Sequence, residues 1–340
     1  MPTAPGDGGS SRLWSPGVIL CVAGNPSIDK LFEVDRLRPG EIHRPEQFVA
    51  LPGGKGIHVA QVAVTLGHDA VVIGLLAGHT GRWVAETLAA EGVQGRFVWS
   101  AGETRSSLSV ADCAAGGLTE FYEDAPPIGA EDWRALAAVV DSLLAHASWI
   151  ALAGSLPSGA PPGGYGELIS AARRAAVPAA IDARGESLVQ AISAGPRLVK
   201  INVHEAAELL GQRIGGARQA LDAAREIRSR IEAQGPAVVI TLGEAGMVMI
   251  DPEGGAWRGR LAGRGPYPVG SGDAFLAGLL VGLERGESWR QAAALALGAA
   301  TANAELRGAG RLDPDRAREL ADAAEVGTPR GGGEGSCPTR

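Results

Sequence analysis

From residue 133 onward the chain repeats one pattern: a helical stretch, a short apolar run, then a turn rich in glycine, serine or asparagine. Helical patterning covers 133–147, 165–176 and 217–233, and short apolar runs cover 149–153, 177–182, 198–201, 237–242 and 247–250. Residues 18–23 and 71–76 read as further strands, with helical stretches at 57–66 and 83–90. Strands separated by helices pair in parallel through crossovers, which predicts an α/β fold: a mostly parallel central sheet with helices on both faces. Ligands of such sheets bind beyond the carboxyl ends of the strands. Two stretches, 31–51 and 97–122, break the alternation, being short, polar-interrupted and β-like without helical period. They predict a small β-sheet lid over the same edge.

With 340 residues, 45% of them hydrophobic, the chain can bury a large core. The pattern places one domain over 16–325, between Gly-rich tails at 1–15 and 326–340 that are expected to be disordered. A net charge of −7 argues against nucleic acid or an anionic membrane as partner. No apolar run is long enough to span a bilayer, and the N-terminus lacks a signal pattern. Three scattered cysteines suit a reducing, cytoplasmic setting and give no metal spacing.

The most informative stretch runs from Gly263 through Val269, Gly270, Ser271, Gly272 and Asp273 into an apolar helix over 271–284, with a second over about 289–305. A glycine-rich turn at a helix start aims backbone N–H groups and a partial positive charge at one spot, which is an anion site. Asp273 beside it would repel a phosphate, unless it takes a proton from the hydroxyl attacking that phosphate. The alternative is that Asp273 only caps the helix.

Only three of the 31 basic residues are lysine: Lys30, Lys55 and Lys200. In a chain that otherwise uses arginine, a retained compact ammonium points to chemistry that a guanidinium cannot replace. Lys55 is followed by Gly56, so this is no P-loop, and no G-x-G-x-x-G, H-E-x-x-H or G-x-S-x-G motif occurs.

The motifs Asn25-Pro-Ser-Ile-Asp29, Gly53-Gly-Lys-Gly-Ile57, Thr104-Arg105, Gly154-Ser-Leu-Pro157, Lys200-Ile-Asn-Val-His-Glu205, Thr241-Leu-Gly243 and Val269-Gly-Ser-Gly-Asp273 stand in a telling order. Over about 18–322 the chain resembles ribokinase-like sugar kinases, most of all the phosphofructokinase-B-type branch with 1-phosphofructokinase and tagatose-6-phosphate kinase. The resemblance implies a ribokinase-like three-layer α/β/α fold and ATP- and Mg²⁺-dependent phosphoryl transfer to a sugar hydroxyl. It also implies a homodimer through the lid.

By the same resemblance Asp273 is the base, and the backbone of Gly270, Ser271 and Gly272 is the anion hole. Asp29, Gly53, Gly54, Lys55, His58 and Arg105 fall on the acceptor side, with Lys55 and Arg105 expected to pair with a phosphate already on the sugar. Lys200, Asn202, Thr241, Gly243 and Asn303 fall on the ATP side, and Asn202 with Glu205 matches the Mg²⁺ motif. Asn202 and Glu205 also have the spacing of a capping box, and Arg105 could be an ordinary surface arginine. The chain departs from the branch at His58, where asparagine is usual, at Tyr122-Glu-Asp-Ala-Pro126, and at Arg184.

The expected activity is phosphorylation of a phosphosugar of the fructose 1-phosphate, fructose 6-phosphate or tagatose 6-phosphate class. His58 keeps open an unphosphorylated sugar, nucleoside or specialised metabolite. A non-catalytic sugar- or nucleotide-binding protein is disfavoured by the complete set of Asp273, Asn202 and Glu205.

Overall fold

The computed structural model describes residues 17–45, 47–263 and 265–329. In chain order the first half contains β1 (Val18–Ala23), β2 (Ser27–Val34), β3 (Gln47–Gly53), α1 (Lys55–Thr65), β4 (Ala70–Ala77), α2 (Gly78–Ala90), β5 (Gln94–Ser100), β6 (Ser106–Asp112) and β7 (Gly117–Tyr122). Then follow α3 (Ala130–Leu143), β8 (Ala147–Ala153), α4 (Gly164–Arg174), β9 (Ala179–Asp182), α5 (Gly185–Ser193), β10 (Leu198–Asn202), α6 (Val203–Leu210) and α7 (Ala217–Ser229). The last part comprises β11 (Ala237–Thr241), β12 (Met247–Ile250), β13 (Ala256–Arg260), α8 (Ser271–Glu284), α9 (Trp289–Glu305), α10 (Pro314–Asp322) and β14 (Glu325–Gly327).

Ten strands form the central sheet in the order β14-β13-β12-β11-β10-β9-β8-β1-β4-β5. From β5 to β11 every neighbour pair is parallel, and β12, β13 and β14 extend that edge antiparallel. The parallel part is covered on both sides, as its continuous apolar strands require. In β1, Ile19, Cys21 and Ala23 pack toward α1, α8 and α9, while Val18, Leu20 and Val22 pack toward α3 and α4. The expected three-layer α/β/α architecture is therefore the one found. Among the described residues no helix is long and apolar enough to cross a membrane.

A second sheet of four strands, β3-β2-β6-β7, makes the lid. Its bounds differ from those expected. The lid includes 27–30, whereas 97–100 belongs to β5 and pairs in parallel with β4 in the central sheet. No helix separates β5 from β6, so alternation alone could not divide them; the break is the 101–105 connection. Sequence patterning also passed over α5, α10, β13 and β14. The domain extends beyond 325, into the stretch expected to be the C-terminal tail, because Val326 pairs with Gly259; the expected tail at 1–15, and residues 330–340 of the one expected at 326–340, lie outside the described residues.

Candidate active site

The carboxyl ends of β1, β8, β9, β10 and β11 open on one edge of the sheet, where the α1 and α8 N-termini and the lid also meet. Together they enclose a cavity of about 970 Å³. Gly270 caps α8 with φ 82° and ψ −8°, a left-handed conformation that glycine adopts without a Cβ penalty. Among the described residues neither its N–H nor that of Gly272 donates to another backbone carbonyl, so both are available to an anion. The Ser271 N–H donates to Pro268 O at 3.2 Å, so it is less available to an anion than expected.

Asp273 lies in the first turn of α8 without capping it. Its Oδ2 instead accepts from His58 Nδ1 at 2.8 Å, which removes the simple capping alternative. On the other side of the same imidazole, Nε2 lies 3.2 Å from Asp29 Oδ2, an ion-pair contact without hydrogen-bond alignment. Asp29 Oδ1 accepts from Ser27 Oγ at 2.6 Å. Gly53 seats this carboxylate: a Cβ there would lie 2.2 Å from Asp29 Oδ1, and Gly53, unlike Gly54, does not line the cavity. Burial opposes charge on His58, but Asp273 and Asp29 overcome it and push its pKa up to about 10. Burial likewise opposes charge on Asp29, and His58, Ser27 and Arg105 outweigh it and hold its carboxyl below the usual range.

The cation cluster is organised differently from expectation. Asp182, wholly buried at the end of β9, accepts from Lys55 Nζ at 2.6 Å and from Lys200 Nζ at 2.5 Å. Lys55 also lies 3.6 Å from Glu205 Oε1. Burial disfavours the charge on Lys55, yet Asp182, Asp273 and Glu205 together raise its pKa. Burial also works against the Asp182 anion, and the two ammonium groups lower its pKa nonetheless. Lys55 is thus not an unpaired cation waiting for a substrate phosphate. Its helix start at Gly54 places it beside Lys200, and a Cβ on Gly272 would lie 2.9 Å from Lys200 Nζ. Both ammonium groups belong to the anion-turn side.

Arg105 sits at the other end of the cavity. Its Nε donates to Asn25 Oδ1 at 3.0 Å, Nη1 to Ser107 Oγ at 3.0 Å, and Nη2 to Asn25 O at 3.3 Å. Thr104 Oγ1 accepts from Ala77 N at 2.9 Å and anchors the connection that carries it. Among the described residues no carboxylate forms an ion pair with Arg105, so its charge faces the cavity beside Tyr122 and Glu123. It is not an ordinary surface arginine.

Asn202 and Glu205 do form a capping box. Asn202 Oδ1 accepts from the N–H groups of His204 and Glu205, and Glu205 Oε2 accepts from the Asn202 N–H. That leaves Glu205 Oε1, 3.6 Å from Lys55 Nζ, as the carboxylate oxygen outside the capping box that could act toward a hydrated cation, while the Asn202 amide oxygen is spent. Thr241 and Gly243 line the cavity, as expected. Asn303 does not. Fully buried, it donates to Val269 O at 2.9 Å and accepts from Gly310 N at 3.0 Å, so it clamps the approach to α8 from behind. Its neighbours Thr301 and Ala304 face the cavity instead. Arg184 is exposed and lines the cavity rim. Sequence reading missed Asn25, Ser107 and above all Asp182, whose one signal is a carboxylate closing an apolar strand.

A carboxylate at a glycine-rich helix start, two lysines on a buried carboxylate and a small sheet over the strand ends are the layout of a ribokinase-like sugar kinase. Residues 20–316 match the pfkB family carbohydrate kinase, and the chain belongs to that family of ATP-dependent phosphotransferases with an alcohol group as acceptor. It is 32% identical over 294 residues to 1-phosphofructokinase of Rhodobacter capsulatus, covering 83% of this chain and 90% of that protein. The solved structure of phosphofructokinase-2 from Escherichia coli in complex with fructose-6-phosphate is 27% identical, with a TM-score of 0.81 over 91% of this chain and 98% of that one. Ribokinase of Arabidopsis thaliana shares the fold at 19% identity, with a TM-score of 0.70 over 90% of this chain and 99% of that one.

Proposed function

We propose that the protein transfers the terminal phosphoryl group of ATP to a hydroxyl of a phosphosugar of the fructose 1-phosphate, fructose 6-phosphate or tagatose 6-phosphate class. The observation that carries this reading is the span of one cavity from the α8 turn with Asp273 to Arg105, a guanidinium that among the described residues forms no ion pair with a carboxylate. Arg105 acts on Asp29 only through space, and a phosphate on the acceptor would engage the guanidinium directly and bidentately. Phosphoryl transfer passes through a loose transition state, so the protein's part is placement and charge stabilisation. Asp273 takes the hydroxyl proton as the new O–P bond forms and the bond to ADP breaks. The N–H groups of Gly270 and Gly272, with Lys200 and Lys55, answer the charge on the transferring group. Glu205 Oε1 and the nucleotide phosphates would hold Mg²⁺ through water, a donor set that suits a hard cation reluctant to dehydrate. When bound, the ion neutralises charge on the phosphates. Asp29 and Gly54 line the acceptor side, while Thr241 and Gly243 line the nucleotide side.

A second reading, an unphosphorylated acceptor, is favoured by one observation: Lys55 already has Asp182 as counter-ion, leaving Arg105 alone to select for a phosphate. A coupled ADP-release screen with MgATP separates the two. Turnover confined to phosphosugars, with acceptor KM raised by Arg105→Ala, supports the first; turnover on free sugars or nucleosides that ignores Arg105→Ala replaces it with the second. We also propose a homodimer through the lid, whose Phe48, Leu118 and Phe121 are exposed on its strands. A monomeric mass in sedimentation at micromolar concentration would refute it.

A further inference from the structure

His58 links three elements. It is carried by α1, its Nδ1 meets Asp273 of α8 at 2.8 Å, and its Nε2 lies 3.2 Å from Asp29 of lid strand β2. The ring is 4% exposed. A neutral imidazole has one N–H and one lone pair. Placed between two carboxylates, it would turn that lone pair against one of them at contact distance. Only the doubly protonated ring turns an N–H rather than a lone pair toward each carboxylate. We propose that His58 is a positioning residue, an imidazolium that fixes the catalytic carboxylate of Asp273 to the lid carboxylate of Asp29. The proposal rests on the kinase reading above for its catalytic consequence, but not for the charge bridge itself.

The consequence concerns which oxygen does the chemistry. His58 occupies Asp273 Oδ2 and leaves Oδ1 to take the proton of the acceptor hydroxyl. His58 keeps both of its own protons throughout the transfer. Because Nδ1 is spent on Asp273 and Nε2 is buried against Asp29, His58 offers an acceptor no accessible N–H, so its expected role as a direct sugar ligand gives way to one exerted through Asp29 and Asp273. The bridge also makes the lid's position a determinant of the base's orientation. The two cations of the cluster, Arg105 and Lys55, by themselves oppose a charge on the ring, and the two carboxylates in contact with it outweigh them. Asp29 has Ser27 and Arg105 behind it, Asp273 has Lys55 behind it, and Gln61 and Gly310 beside the ring carry no charge.

The test begins with the resting protein, which needs no acceptor. Long-range ¹⁵N–¹H spectra, with the His58 signals assigned by their loss in His58→Gln, should show both ring nitrogens protonated from pH 7 to 9. In Asp273→Asn the ring should deprotonate at lower pH. A neutral tautomer at pH 7, or a ring indifferent to Asp273→Asn, overturns the proposal. In kinetics with whichever acceptor turns over, His58→Ala should lower kcat about 10- to 100-fold while the KM for ATP stays unchanged. His58→Gln, which keeps a donor, should recover part of that loss. A His58→Ala enzyme with unchanged kcat and raised acceptor KM would instead make His58 a substrate ligand and overturn the positioning role. Failure of every acceptor would count against the kinase reading alone, because the spectra decide the bridge.

Discussion

Glu33 Oε1 on the lid lies 2.7 Å from Tyr267 Oη on the segment that leads into α8. Arg307 Nε donates to the same oxygen at 2.8 Å, and its guanidinium lies 5.7 Å from the Tyr267 ring centroid. Hydrogen bonding from Arg307, against burial and with help from Tyr267, holds the Glu33 carboxyl below its usual range. The lid thus grips the anion turn from one side, and Asn303 clamps it from the other. In Glu33→Gln, amide exchange over 265–270 should accelerate, since a neutral amide replaces the charge-assisted bond from Arg307. Unchanged exchange would mean that Asn303 holds the turn unaided.

Asn303→Ala should cost about 2–4 kcal/mol in denaturant unfolding, because the buried Gly310 N–H and the Val269 carbonyl, in a half-buried bond, lose their partner. Its preference for ATP over GTP should not change. A change in nucleotide preference would return Asn303 to the ATP side, where the resemblance sets it.

Asp273→Asn should lower kcat about 10²- to 10⁴-fold while calorimetry still reads ATP binding. Turnover near that of the parent enzyme would strip Asp273 of its role as base.

Asp182→Ala leaves two ammonium groups facing each other without their shared counter-ion, so about 3–5 kcal/mol of stability should be lost. Its pH signature follows from the direction of the shift. A carboxyl lowered in the fold stabilises above its unfolded value near 4 and loses that contribution as pH falls through the lowered value. Thermal scans at pH 3 to 5 should show acid destabilisation in the parent protein that is smaller in Asp182→Ala.

His58 gives the opposite sign at the opposite end of the scale. Its raised pKa stabilises the fold fully below the unfolded value near 6.5, and that contribution disappears as pH rises toward about 10. The melting temperature should therefore fall between pH 7 and 10, and His58→Gln should flatten that slope. Equal slopes in the two proteins would place the titration elsewhere.

Some of this protein was fixed by local sequence. Apolar runs alternating with helical periods dictate a parallel sheet, because strands separated by a helix have no hairpin route to each other. Placement of Gly54, Thr241 and Gly270 at strand ends and helix starts follows from the same pattern, since breakers and caps act within a few residues. Tertiary structure alone decided the partners. His58 meets a carboxylate 215 positions away, and Lys55 meets one 127 positions away. Neither separation leaves any periodic trace. Asn303 shows the same limit within one element: α9 is rich in alanine and apolar around most of its circumference, so no amphipathic stripe tells which residue faces the cavity. Packing against α8 and α10 set that rotation, and it turned Asn303 inward and Thr301 toward the site.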